Sequence, residues 1–383
     1  MNVYLDNSAT TKPSESVAAA VRELIEGGWY NPSALYRPAL EIQKKLDGVR
    51  ETCLKAAGAE GQRAVFTSGG TEADNLALLG HLKTCRKQGK VLISSVEHPA
   101  VTACAEEIRR MGHTVEEIPA SRDGRIDLAA FEGMLDDSVL LISVMQVNNE
   151  TGAAESLAEI ARLRNRQAPG AAIHVDGVQG FMRMKLDFNR LGIESYAFSG
   201  HKIHGLKGTG ALIVRKGHAI RPIQLGGGQE GNLRSGTENT FGILALGEAV
   251  STWNPEANTH MRVLKNRLRE ELIRQIPEAR INGPEEDPET CAPHILNVAL
   301  MPVRSQTMLF ALEGDGIYVS AGSACASRKQ KISPVLKAMG ISTEQADCSL
   351  RFSLCPYTTE EEIDYAVMCT VKHWEMLRKY TRR

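Results

Sequence analysis

The sequence predicts an α/β protein, with a mixed, mostly parallel sheet covered by helices and a smaller α+β unit beside it. Strand-like and helix-like segments alternate from about residue 64 to 215, and such alternation builds a parallel sheet with helices on both faces. After about residue 255 the texture changes to a long charged helix and short strands. The length, 383 residues, exceeds one small core and makes two domains the prior.

The first segment, SESVAAAVRELIEGG, places apolar residues at 17, 21, 24 and 25 and ends on two glycines. It reads as an amphipathic helix with a stop signal. AVFT then leads through a glycine turn into EADNLALLGHLK, KVLISS into PAVTACAEEIRRMG, and TVEEI into DLAAFEGML. VLLISVMQV precedes SLAEIARLRNRQ, and the strands AAIHV, SYAF and GALIV follow. Beyond them MRVLKNRLREELIRQI reads as a helix, with short strands around ILNVAL, IYVSAG and SLRFSL. The last helix opens with Thr359 three residues before Glu362, the spacing of a capping box. The expected division is a large domain over 15–255 and a small one from 1–14 with 256–383.

Composition excludes several function classes. Lys plus Arg number 45 against 46 Asp plus Glu, which gives no electrostatic footprint for nucleic acid or an anionic membrane. Apolar runs such as VLLISV at 139–144 are far short of a membrane span. MNVYLDNSATT contains neither a basic segment nor an apolar signal core, so a cytoplasmic protein is expected. The eight cysteines, at 53, 85, 104, 291, 325, 348, 355 and 369, form no CxxC and read mostly as small buried hydrophobes. GGGQEG at 226–231 fits a dinucleotide fingerprint, but no strand-turn-helix unit surrounds it. His201 and His204 lack an evident third ligand, and no metal site is expected.

The chemistry-bearing groups cluster at predicted strand ends, where ligands collect in such sheets. AVF ends at TSGGTEADN, a glycine turn opening a helix. Its N–H groups, with the Ser68 and Thr71 hydroxyls, suit a phosphate, although a plain turn capped by Thr71 fits as well. KVLISS ends near His98, VMQV at Asn148 and Asn149, AAIHV at Asp176, and SYAF at Ser199, His201 and Lys202. Each has an ordinary alternative: a solvated lysine, a turn-forming aspartate, a structural histidine. Together, phosphate cup, carboxylate, amide, flat ring and lysine describe a pocket for pyridoxal 5′-phosphate (PLP). A lysine amine forms a Schiff base with its aldehyde, and a carboxylate keeps its ring nitrogen protonated.

The motifs YLDNSATT, NPS, TSGGTEADN, EHPAV, VNNETG, HVDGVQ, SGHKIHG, GGGQE, RSGTEN, SAGSAC and SLRFSL occur in this order from residue 4 onward. Their set resembles the NifS/IscS-type cysteine desulfurases among class-V PLP enzymes. The resemblance implies a fold-type-I PLP-dependent transferase. It makes Lys202 the Schiff-base lysine, Asp176 the partner of the ring nitrogen, His98 the stacking and proton-moving ring, and Gln179 the partner of the ring oxygen. Gly70, Thr71, Ser199 and His201 match phosphate and ring contacts. Thr237 matches a position reaching the phosphate of a neighbouring subunit, which implies a homodimer. Arg351 is similar to the clamp for the substrate carboxylate, and Asn149 to a residue that orients the substrate.

Cys325 lies in GSACASRKQ, a run of small and polar residues that reads as a loop. Composition alone makes it an incidental cysteine. The resemblance makes it the nucleophile that takes sulfur from L-cysteine, leaving alanine and a persulfide for iron–sulfur assembly or tRNA thiolation. The implied partner is a sulfur-acceptor protein. A selenocysteine lyase or another class-V lyase is the alternative on the same scaffold, and a carrier that has lost catalysis is a further one. Four positions depart from the family pattern: Tyr36 for a usual histidine, Ala39 and Cys355 for glycine, and Leu206 for proline.

Overall fold

The computed structural model describes residues 1–321 and 332–380. Its main sheet has seven strands. In spatial order they are Arg63–Thr67, Gly210–Val214, Ser195–Ser199, Ala172–Asp176, Val139–Met145, Lys90–Ser94 and Thr114–Ile118. Only Gly210–Val214 runs against its neighbours on both sides, so the sheet is mixed and mostly parallel as expected. Every residue of Ala172–Asp176, Ser195–Ser199 and Gly210–Val214 is buried. Helices covering both faces of the sheet give its strands, the antiparallel one included, this continuous burial in place of alternation.

The carboxyl ends of four parallel strands, at Thr67, Ser94, Asp176 and Ser199, open towards one edge of the sheet. Thr67 leads through Ser68 and Gly69 into the helix Gly70–Leu82. Ser94 leads to His98, whose ring caps Pro99–Thr102 by accepting the Ala100 N–H at 3.1 Å. The single helix expected over PAVTACAEEIRRMG is divided at Ala103 into Pro99–Thr102 and Cys104–Arg110. Ala103 itself keeps helical torsion angles, so the two pieces are nearly continuous.

Among the helices unread in the sequence, the three longest are Arg37–Ala56, Thr240–Ser251 and Ser305–Gly314. In Thr240–Ser251 both core faces are apolar, with Ile243, Ala245, Leu246, Ala249 and Val250 all buried. It packs against Glu15–Gly27 and Arg37–Ala56, and a helix apolar around most of its circumference has little polar stripe to reveal its period. A side-chain carbon at Gly247 would lie 2.4 Å from Val49 Cγ2, so glycine lets two of these helices touch.

The second body centres on an antiparallel sheet of Ser349–Ser353, Ile295–Leu300 and Ala279–Ile281. Leu264, Leu268, Leu312, Phe352 and Ile363 share its core with Val3 and Leu5. Val3–Tyr4 pairs in parallel with Ile317–Tyr318, which ties the start of the chain to this body. On this packing we propose the division of 15–255 from 1–14 with 256–383. The final helix, Glu360–Leu377, carries the capping box read from the sequence.

Candidate active site

A cavity of about 360 Å³ lies at the carboxyl edge of the main sheet. Lys202 reaches it from a single 3-10 turn, Gly200–Lys202, directly after the strand ending at Ser199. Its Nζ donates to the carbonyls of Ser8 and Ala9, at 2.6 and 2.8 Å. The N-terminal segment is held in turn by Thr11, which bonds the His201 carbonyl through both its N–H and its Oγ1. Burial pushes the Lys202 amine down to about 8, helped by Arg351 and Arg183 and opposed by Asp176 and Asp6. A buried ammonium loses its hydration, which favours the neutral, nucleophilic amine.

Asp176 ends its strand inside the same cavity. One oxygen accepts the Val178 N–H at 2.9 Å. Burial raises its carboxyl to about 7, the Asp74 carboxyl adds to this, and His98 opposes it. The turn after Asp176 is tight because Gly177 leaves no room for a side chain, with the Tyr196 ring 1.9 Å from where its Cβ would stand.

His98 lines the cavity as well. Because its Nδ1 accepts from Ala100, the neutral ring carries its proton on Nε2. Burial first, and Lys202 next among the lowering causes, keep it below its usual range despite Asp176. Gln179 donates to the Ser8 carbonyl at 2.9 Å and pairs through its Oε1 with His294 Nε2 at 3.2 Å. His201 sets its Nδ1 3.1 Å from Thr10 Oγ1 and is held down to about 4, mainly by burial. His204 instead sets its Nδ1 on the Lys12 carbonyl, so the two histidines serve different contacts.

Gly70, Thr71, Asn149 and Ser199 complete the expected set along the cavity wall. A side-chain carbon at Gly70 would lie 2.5 Å from Val178 Cγ2, so the helix N-terminus closes tightly on the Asp176 turn. Ser68 is exposed, and its N–H is taken by Glu72 at 2.8 Å. Thr237 is also exposed and lies outside the lining of this chain's own cavity. Cys325 lies outside the described residues.

Arg351 comes from the second body, in the strand Ser349–Ser353, and is buried at the cavity wall. Its Nη1 donates to the Asn149 carbonyl at 2.8 Å and its Nη2 to Asp6 at 2.7 Å. These two bonds orient the guanidinium plane while its further N–H groups stay available for a carboxylate.

Among the carboxyls lining the cavity, the sequence reading did not assign Asp74 and Glu97, nor Glu150, which accepts from Ser333 Oγ at 2.6 Å. Asp74 meets His174 Nε2 at 3.1 Å, and His174 Nδ1 meets Ser195 Oγ at 2.9 Å. Glu97 is buried, and neither of its oxygens has a hydrogen-bond partner among the described residues. Burial pushes Asp74 and Glu97 well above the usual carboxylate range. The only local signal was their place, Asp74 one turn into the glycine-turn helix and Glu97 next to His98.

The residues present fit PLP. A buried carboxyl raised by its surroundings suits the cationic ring nitrogen that would pull it back down. The glycine-opened helix offers N–H groups for the phosphate, since a helix N-terminus binds anions without further help. The Lys202 amine, lowered by burial, lines the same cavity.

The class-V aminotransferase profile matches residues 3–366. The chain is 36% identical over 370 residues to the cysteine desulfurase NifS of Azotobacter vinelandii, covering 96% of this chain and 91% of that protein. A solved NifS-like protein superposes with a TM-score of 0.91 at 31% identity, over 98% of this chain and all (100%) of its own. A solved complex of SspA with cysteine superposes with a TM-score of 0.81 at 27% identity, over 94% of this chain and 100% of that one.

Proposed function

The chain belongs to the class-V aminotransferase family, and from that premise we propose that it is a PLP-dependent cysteine desulfurase. It converts L-cysteine to L-alanine and passes the sulfur to Cys325. In balance, the substrate's Cβ–S bond breaks and a bond forms between that sulfur and Cys325 Sγ. The thiol protons are redistributed so that the products are alanine and a Cys325 persulfide, with no outside oxidant.

The observation that carries this reading is that Lys202, Asp176, His98 and Arg351 line one cavity. PLP, when bound, supplies an electron-accepting ring that stabilises negative charge on the substrate carbon. Lys202 would anchor the cofactor and serve as a base for the substrate's Cα proton. With the cofactor bound, Asp176 would hold the proton of its ring nitrogen, His98 would contact the ring, and Gln179 would partner the ring oxygen. Gly70, Thr71, Ser199 and His201 would hold its phosphate side. Arg351 takes the substrate carboxylate, and Asn149, whose carbonyl fixes Arg351, orients the substrate.

We further infer a cytoplasmic homodimer in which Thr237 reaches the partner's phosphate site. The exposed Thr237 supports this, as does a surface aromatic group in which Trp29 and Tyr30 stack at 4.5 Å with Tyr36 beside them. Among the described residues no helix is long and apolar enough to cross a membrane. The acceptor of the persulfide is a protein, either an iron–sulfur scaffold or a tRNA-thiolation enzyme.

The test is alanine formation from L-cysteine by the PLP-loaded protein with a reductant present. Wild type is expected to form alanine, and Cys325→Ala little or none. A yellow wild-type protein that forms no alanine from cysteine sinks the reading.

A further inference from the structure

Arg183 is buried, sits seven residues beyond Asp176, and donates through Nη2 to the main-chain carbonyl of Lys202. Its Nε and Nη1 are buried without a hydrogen-bond partner among the described residues. It also faces the ring of Trp253, 5.6 Å from the ring centroid. Among the described residues no carboxylate lies within ion-pair distance of it, whereas Arg351 is paired with Asp6. Buried charges are ordinarily paired, because an isolated one costs several kcal/mol or more. Such a cation beside a reactive lysine resembles a device, since a neighbouring positive charge disfavours a second one.

We propose that Arg183 is a positioning residue for the reactive amine: it pins the Lys202 main chain and, as an uncompensated buried charge, adds to burial and Arg351 in favouring the neutral form of the amine. The proposal rests on the reading of Lys202 as the reactive lysine.

The surroundings leave this charge unopposed. Around Arg183 stand the rings of His201, His204 and His294, all held below the usual histidine range by burial, and the Cys355 thiol, raised by burial. None of them supplies an anion at neutral pH. Around Lys202 the opposing carboxylates are Asp176 and Asp6. Asp6 is already engaged by Arg351, and burial raises Asp176. His98 also faces Lys202, and its neutral ring adds no charge. The cation is therefore the part of this environment that a single substitution can remove without touching the cavity lining.

The experiment is competitive acetylation of full-length protein, before cofactor is added, across a pH series, with Lys202 followed by peptide mass spectrometry. Wild type is expected to show a Lys202 midpoint near 8. Arg183→Met moves it upward by about a unit, so labelling below the midpoint falls about tenfold, while Arg183→Lys keeps it. Cys355→Asp, which sets an anion beside an intact Arg183, also moves it upward, and this variant keeps the test alive if Arg183→Met does not fold. An unchanged midpoint in both Arg183→Met and Cys355→Asp overturns the proposal, whatever happens to the extent of labelling, because a purely structural role alters the plateau and not the midpoint. A wild-type midpoint in the ordinary lysine range overturns it too. Alanine formation is not read, so failure of the desulfurase reading leaves the outcome interpretable.

Discussion

Replacing Asp176 with asparagine separates what this residue costs the fold from what it does for the site. Burial raises its carboxyl from 3.8 to about 7. In the cofactor-free protein a raised acid binds its proton more tightly folded than unfolded. Its favourable contribution is complete below 3.8 and is lost as pH rises through about 7. Three units correspond to about 4 kcal/mol at 1.36 kcal/mol per unit. Asparagine keeps an oxygen for the Val178 N–H and carries no charge. Cofactor-free Asp176→Asn is therefore expected to be more stable than wild type above pH 7, by up to about 4 kcal/mol, and equal to it in acid. Urea unfolding at several pH values reads this directly. The loaded variant is expected to bind PLP weakly and to lose activity, since the ring nitrogen loses its counter-charge. Equal stability of the two proteins across the whole pH series would refute the claim that burial sets the charge of Asp176.

Two further substitutions probe the wall and the floor of the cavity. Arg351→Lys leaves one ammonium where a guanidinium spans Asn149 and Asp6. KM for cysteine is expected to rise about 10- to 100-fold, the worth of a charged hydrogen bond, in steady-state kinetics with kcat changed less; an unchanged KM removes Arg351 from the substrate's carboxylate. Gly177→Ala drives a methyl group into the Tyr196 ring and should cost about 1–3 kcal/mol of overpacking, read by urea unfolding. It should also weaken PLP binding by displacing Asp176, and a variant as stable as wild type would show that the turn has slack.

What the sequence revealed depended on how far apart the partners lie along the chain. Strand ends were legible because an apolar run stops where a chemistry-bearing residue begins, as at Asp176 and Lys202. Thr359 and Glu362 were legible because a capping box is complete within one turn. The groups that hold those residues were not. The carbonyls that fix the Lys202 amine lie more than 190 residues away, Asp74 meets His174 across 100 residues, and Asp6 meets Arg351 across 345. No local pattern encodes such pairs. The backbone of Ser8 and Ala9, moreover, acts through carbonyls that every residue possesses.

The charges around the cavity explain why these distant contacts matter. On one side, burial raises the carboxyls of Asp74, Glu97 and Asp176. On the other it lowers Lys202 and Arg183, down to about 8 and about 10. Each set is displaced towards its neutral form because low-dielectric surroundings penalise charge of either sign. Direct pairing between the two sets would relieve both, yet Lys202 is tied to two carbonyls and Arg183 to a third. Main-chain acceptors thus hold the cations in place without neutralising them, and the acids keep their anionic capacity for a cation that enters the cavity. A ligand with a protonated ring nitrogen near Asp176 and a carboxylate near Arg351 would supply the partners that the fold withholds. Stability given up in the protein alone then returns as binding energy, the usual exchange between a strained site and its ligand.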